Sequence, residues 1–258
     1  MLESITKHRS LIIDFSITVL KRRYAGTLLG PLWAVLPPTM TIVAFWFVFG
    51  IGLRAQGAGN IPFFYYFTIG ILPWFLFFDT FSTSVNTVVD NRHLITKMVF
   101  PSEVLPIINF LVASVPHLAL LIGMCVVLFS ANYLAIDKIF WVVYFYVCTA
   151  YIALAASWLA ASVSVFSRDA APAATLVVSL IFWVTPIMWR IEALPSEWRW
   201  AFEWNPITYL ADGYRFALIN APQPSLASHA RFWIIAVILW VIGSQVFKRL
   251  KHHFADVL

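Results

Sequence analysis

The chain has 258 residues, 61% hydrophobic and only 11% charged, with a formal net charge of +5. A soluble domain is about 45–50% apolar and about 25% charged, so an ordinary soluble enzyme or binding module is excluded and an integral membrane protein is indicated. On such a chain a basic balance is first a topology signal and does not imply nucleic acid.

The first apolar stretch, 11–20, is interrupted by Asp14 and lacks a small-residue cleavage site, so it does not read as a signal peptide. Lys7, Ser10, Asp14, Thr18 and Lys21 recur at helical spacing and form one polar face. Leu11, Ile12, Phe15 and Val19 lie elsewhere on the wheel. The pattern predicts an amphipathic helix in the membrane interface over 1–27, with Lys21, Arg22 and Arg23 near anionic headgroups. A frayed leader is the plain alternative, and alternation at Ile13, Phe15, Ile17 and Val19 also fits a strand.

Uncharged runs then follow at 24–53, 55–78, 104–136, 139–167, 170–189 and 232–247. A helix needs about 20 apolar residues to cross a bilayer, so these predict six spans, the last aided by snorkelling of Arg231 and Lys248. In the first span Pro37 and Pro38 remove helix hydrogen bonds, so this helix should bend or begin late. Phe45, Trp46 and Phe49 follow at near-helical spacing, and lipid, protein or cargo could face them. Six spans put both termini on one side. Lys7, Arg9, Lys21–Arg23, Arg92, Lys97, Arg168, Lys248, Arg249 and Lys251 would share that side, which the positive-inside rule makes cytoplasmic.

The loop at 91–106 reads as a short helix carrying Leu94, Ile95, Met98 and Val99, stopped by Pro101. A mixed basic and apolar helix there could dock in a groove of a soluble partner, or be only a turn. A second inner turn, FSRD, holds Arg168 and Asp169. The stretch 190–231 is too charged to span and too aromatic for a plain loop. With Pro195 and Pro206 as breaks, it predicts short re-entrant or interfacial helices on the outer side, against an ordinary aromatic belt.

No catalytic site is expected. The chain lacks a glycine-flanked nucleophilic serine, an HExxH pair and a GxxxxGK[ST] loop. Cys125 and Cys148 sit inside apolar runs, so neither a disulfide framework nor a metal site is expected. His117, alone among the histidines in a span, reads as a helix-packing residue. Asp79, near the inner end of a span, reads as a carboxylate capped by nearby hydroxyls or paired with a basic residue, and less well as an ion relay. Two inner contacts without an energy source suggest a permease driven by a separate motor.

RRYAGTLLGPLWAVLPP, LITKMVFPSEVLP, FSRD and WNPITYLADGYRFALI occur in that order over about 18–250. This set resembles the permease subunit of type-2 ABC exporters of bacterial polysaccharides: O-antigen, capsule and teichoic acid. The resemblance implies an all-α fold: six transmembrane helices over 28–250, an interface helix over 1–27 and a cytoplasmic tail over 251–258. It implies a homodimer in the bacterial inner membrane, with both termini cytoplasmic. Two cytoplasmic ATPase subunits would bind ATP and Mg, and this chain would bind no cofactor. The substrate would be a lipid-linked polysaccharide, O-antigen first. Trp33, Phe45, Trp46 and Phe49, with Phe182, Trp183 and Trp189, would line the conduit. Arg92, Leu94, Ile95, Lys97, Met98, Arg168 and Asp169 would couple to the ATPase. Trp198, Trp204, Asn205 and Tyr209 would belong to an outer gate. Flat aromatic faces suit the C–H faces of sugars and tolerate any sugar that arrives. A drug or lipid exporter of the same type, and an intramembrane enzyme, are the rival classes.

Overall fold

The structure, a computed structural model, describes residues 6–97 and 100–258. Among these residues the secondary structure is helical apart from turns and an isolated bridge between Ala58 and Ile61. Helix α1 is Arg9–Tyr24, α2 Leu32–Phe45, α3 Phe63–Val85, α4 Thr87–Asp90 and α5 Arg92–Lys97. They are followed by α6 Leu105–Ser130, α7 Phe140–Ser164, α8 Ala170–Val184, α9 Ser196–Glu203, α10 Pro206–Ile219, α11 Leu226–Leu250 and α12 Phe254–Val257. Among the described residues, five helical stretches are long and apolar enough to cross a membrane. These contain α2, α3, α6, α7 and α11.

The sixth expected span, over 170–189, is instead a 15-residue helix, α8. It stops because Thr185 is extended, at ψ 135°, directly before Pro186. The residue before a proline is pushed out of the helical region by the ring, and apolar composition cannot override that clash. At 1.5 Å per residue α8 itself covers only about 22 Å of a hydrocarbon core of about 30 Å, and the extended segment after it carries the chain on to the end opposite the FSRD turn, where Thr185 meets Asn205. The last span differs in the other direction: α11 has 25 residues, because Ser225 caps it by accepting from Ser228 N–H at 3.1 Å.

The prolines of α2 do not delay its start. The helix begins at Leu32 and runs through Pro37 and Pro38. Thr39 and Thr41 hydroxyls donate to the Val35 and Pro37 carbonyls at 2.8 and 3.0 Å, one way a membrane helix tolerates such breaks. The irregularity comes later, where Trp46–Gly52 widens into a π-helix closed by Leu53 N–H to Val48 O at 2.8 Å. Gly50 permits this turn, since a Cβ there would lie 2.9 Å from the Trp46 ring.

Helix α3 is the centre of the bundle and packs against α6, α7, α8 and α10. Two thirds of its most apolar stretch (67%) is buried within the chain, against 6% for α2. The first span is therefore covered by the chain along one side only, through residues such as Ile42 and Phe45, and offers the other side to lipid, to a partner or to cargo. Helix α1 occupies Arg9–Tyr24 of the expected 1–27, and apolar Ile13 and Ile17 are exposed beside its polar residues. Lys7, Ser10, Asp14, Thr18 and Lys21 are all exposed, while Ile12 and Ser16 are buried. Leu11, Phe15 and Val19 pack on the same inner cluster as Ile12.

Candidate functional site

Three regions matter. At one end of the bundle, α1, α5 and α12 gather around an apolar cluster containing Ile12, Val88, Val104, Phe247 and Phe254. Phe15 meets Phe100 at 6.1 Å, and Phe254 meets Phe166 at 6.1 Å and Phe247 at 5.4 Å. Both terminal helices thus lie at the end that carries the 91–106 loop and the FSRD turn. Ile95 points into the cluster and Leu94 is half-buried, whereas Arg92, Lys97, Arg168 and Asp169 are exposed. Met98 lies outside the described residues. The loop is anchored from behind: Trp158 Nε1–H donates to Glu103 O at 3.0 Å, and Lys251 pairs with Glu103 at 3.3 Å. The sequence reading missed Phe254, whose only signal is one aromatic in a polar tail.

Just above this end, Arg23 pairs with the Asp79 carboxylate at 3.2 Å. The Thr83 and Ser82 hydroxyls bond the Asp79 backbone carbonyl, so the basic partner, not a hydroxyl, meets the charge. Both side chains are partly exposed (40% and 29%), and the pair closes one side of a cavity of about 240 Å³ lined also by Trp33, Pro37, Pro38 and His117. Tyr24 lines it too. Burial raises its phenol above the ordinary value, and Arg23 partly offsets this. His117 is buried between helices, with Nδ1 3.2 Å from Leu72 O and Nε2 3.2 Å from the Tyr214 hydroxyl. That is a packing role.

The second region joins α2 to α8. Phe45 lies 5.8 Å from Phe182, 6.1 Å from Trp183 and 5.7 Å from Phe67. Phe182 is buried, whereas Trp183 is 60% exposed. Trp46 packs edge-on against Phe64 at 5.8 Å yet stays exposed, and Phe49 lies 6.1 Å from Phe45. The structure therefore brings the first span and α8 together through Phe45, and leaves Trp33, Trp46 and Trp183 facing out. Trp189 is elsewhere, edge-on to Phe202 at 5.3 Å beyond the end of α8.

The third region is the opposite end of the bundle. Asn205 and Pro206 start α10 as an N-cap and first-turn proline should: the Asn205 side chain accepts from Ile207 N–H at 2.9 Å. Its amide also donates to Thr185 Oγ1 at 2.8 Å, tying α10 to the end of α8. Trp198 and Trp204 are exposed. Tyr209 is buried, its hydroxyl 2.6 Å from His229 Nδ1 and 3.1 Å from the Tyr144 hydroxyl. Helix α10 is packed into the bundle. Its residues Ile207–Leu210 and Gly213–Ile219 are buried against α3 and α7.

Arg215 explains that burial. It is 1% exposed and donates to the Tyr66, Pro186 and Ile187 carbonyls at 3.1, 3.4 and 2.8 Å and to Asp212 at 3.0 Å. Its guanidinium carbon lies 3.7 Å from the Tyr66 ring centre, within reach of a cation–π contact. Only a glycine at position 70 leaves room for it. The sequence offered no sign of this beyond a charge in an aromatic stretch.

Residues 16–219 match the ABC-2 type transporter membrane family. The chain belongs to that family. It is thus a multi-pass protein of the bacterial membrane, and the family works with ATPase subunits in an ABC exporter. Two relatives from Klebsiella pneumoniae, each named O-antigen export system permease protein RfbA, are 26% and 25% identical over 96% of this chain and 95% of their own. One of the same name from Myxococcus xanthus is 28% identical over 99% of this chain and 98% of its own. For this ABC-2 chain, no cluster of three or more His, Cys, Asp or Glu residues able to hold a metal occurs among the described residues.

Proposed function

We propose that this chain is the membrane subunit of an ATP-driven exporter that moves a lipid-linked polysaccharide, an O-antigen, across the bacterial inner membrane. The observation that carries this reading is similarity along nearly the whole chain to three permeases named for O-antigen export. Two copies form the channel, and each docks one ATPase subunit through Arg92, Lys97 and the Arg168–Asp169 turn. Both termini are cytoplasmic, which accords with the basic residues gathered where α1 and α12 meet. ATP and Mg belong to the ATPase subunits, and this chain does no chemistry of its own.

The conduit runs along α2 and α8. Trp46 and Trp183 supply its flat faces, and Phe45 and Phe182 hold the two helices together behind them. Weak, repeated contacts suit a polymer that must slide, because a tight site would hold it in place. A clean chromosomal deletion should abolish surface O-antigen while the lipid-linked chain accumulates in the cytoplasmic leaflet, and the tagged protein should co-purify with an ATPase subunit. Normal O-antigen on the deletion strain would end this reading. Loss of capsule alone would redirect it to that glycan.

A further inference from the structure

We infer that the cavity at the outer end of the bundle is a saccharide subsite, which takes one or two sugar units of the exported glycan. This rests on the exporter reading above and names a place where the cargo is held. The cavity measures about 350 Å³, at the small end of ligand sites, which span about 300–1,000 Å³. It lies between the segment that follows α8 and the ends of α10 and α11, with Tyr66 and Tyr209 among its walls.

Its polar lining asks for an occupant. Among the described residues, only five buried side-chain nitrogen or oxygen atoms lack a hydrogen-bond partner. Two of them, Thr208 Oγ1 and Arg231 Nε, belong to residues lining this one cavity. Thr208 is 6% exposed and lies in the first turn of α10, with no earlier helical turn behind it to receive its proton. Buried polar groups are almost always paired, so two orphans on residues that line one cavity mark its wall as short of a donor–acceptor group. A sugar hydroxyl is both donor and acceptor, and so matches either the Thr208 hydroxyl or the Arg231 Nε–H.

The charge pattern selects a neutral polyol over an anion. Three guanidinium groups line the cavity and each is matched by a carboxylate of the same lining. Arg231 pairs with Glu203 at 2.8 Å, Arg215 with Asp212 at 3.0 Å and Arg190 with Glu192 at 3.3 Å. A phosphate would meet as much negative as positive charge. A saccharide instead finds oriented, already paired polar groups beside tyrosine rings. Asp212 remains 48% exposed while holding Arg215, so its carboxylate has free lone pairs for a hydroxyl.

The test uses the protein in nanodiscs with its co-purified ATPase subunit and saturation-transfer NMR. The probes are methyl glycosides of mannose, galactose, rhamnose and N-acetylglucosamine, with inorganic phosphate as the anion control. At least one glycoside should show transfer to its ring protons at ~10 mM, in the weak range suited to a sliding cargo. Thr208→Val, which removes only the hydroxyl, should weaken binding about fivefold, the loss of one neutral hydrogen bond. Arg231→Lys keeps the cation beside Glu203 but removes Nε–H, and should act similarly. Thr208→Ser should bind as the parent does, which separates loss of the hydroxyl from misfolding. No glycoside signal, signals unchanged in both Thr208→Val and Arg231→Lys, or a preference for phosphate would each overturn the inference. If the deletion strain lacks surface glycan yet Thr208→Val binds and exports normally, the subsite alone fails. If the deletion strain keeps its glycan, the exporter reading fails with it.

Discussion

Replacing Arg215 by methionine should loosen the outer half of the bundle more than any other single change. The side chain is 1% exposed and holds three backbone carbonyls from two separate segments, besides Asp212 and the face of Tyr66. Each charged donor to a neutral acceptor contributes about 1.5–3 kcal/mol, but the bonds are not additive. Removing one member of a buried charged network costs about 3–5 kcal/mol, since the groups left behind stay buried and unpaired. For a chain of this size 1 kcal/mol moves Tm by about 2–4 °C, so the melting point should fall by about 6–20 °C. Thermal unfolding of the purified protein in detergent, followed by tryptophan fluorescence, reads this directly. Arg215→Lys should recover little, because an ammonium cannot lie flat on Tyr66 and reach carbonyls on two segments together. Asp212→Asn should cost less, since its amide oxygen still accepts and the three carbonyl bonds remain. A melting point for Arg215→Met within about 2 °C of the parent, below the change expected for 1 kcal/mol, would refute the argument.

Three further outcomes are expected. Phe254→Ala should open a cavity beneath the 91–106 loop, worth about 3–5 kcal/mol locally, and reduce co-purification of the ATPase subunit without reducing membrane insertion. Phe254→Leu should retain most of it, and equal complex formation by both would argue against the brace. Charge reversal at exposed Arg92 and Lys97 should leave Tm unchanged within the ~0.5 kcal/mol typical of surface changes, while weakening ATPase docking, most visibly at low salt. Docking equal to the parent at low salt would remove these residues from the interface. Trp46→Ala with Trp183→Ala should slow glycan export beyond any fall in protein abundance, whereas Phe45→Ala should lower abundance itself. If both losses track abundance alone, all three are packing residues.

The helical membrane class was legible because a bilayer leaves the backbone few alternatives. A long uncharged run such as 104–136 can satisfy its backbone groups there only as a helix. Local chemistry was readable too. The polar stripe from Lys7 to Lys21 appears where spacing places it, and Pro206, read as a break, falls in the first turn of α10. Composition was weaker where one residue outweighs many. The run 170–189 is apolar throughout, yet Pro186 ends the helix at Val184.

Partnerships between distant segments could not be read in the same way. Arg215 meets Tyr66 across 149 positions, and Arg23 meets Asp79 across 56. Spacing along one helix says which side chains share a face, but not which other helix covers it. Hydrophobicity is equally silent, since lipid tails and protein side chains are alike apolar to a leucine or phenylalanine. Hence the chain alone announced a membrane permease with aromatic faces and basic inner loops. Folding assigned the faces: Phe45 and Phe182 to packing, Trp46 and Trp183 to the open side, and Arg215 to the lock between α10, α3 and the end of α8.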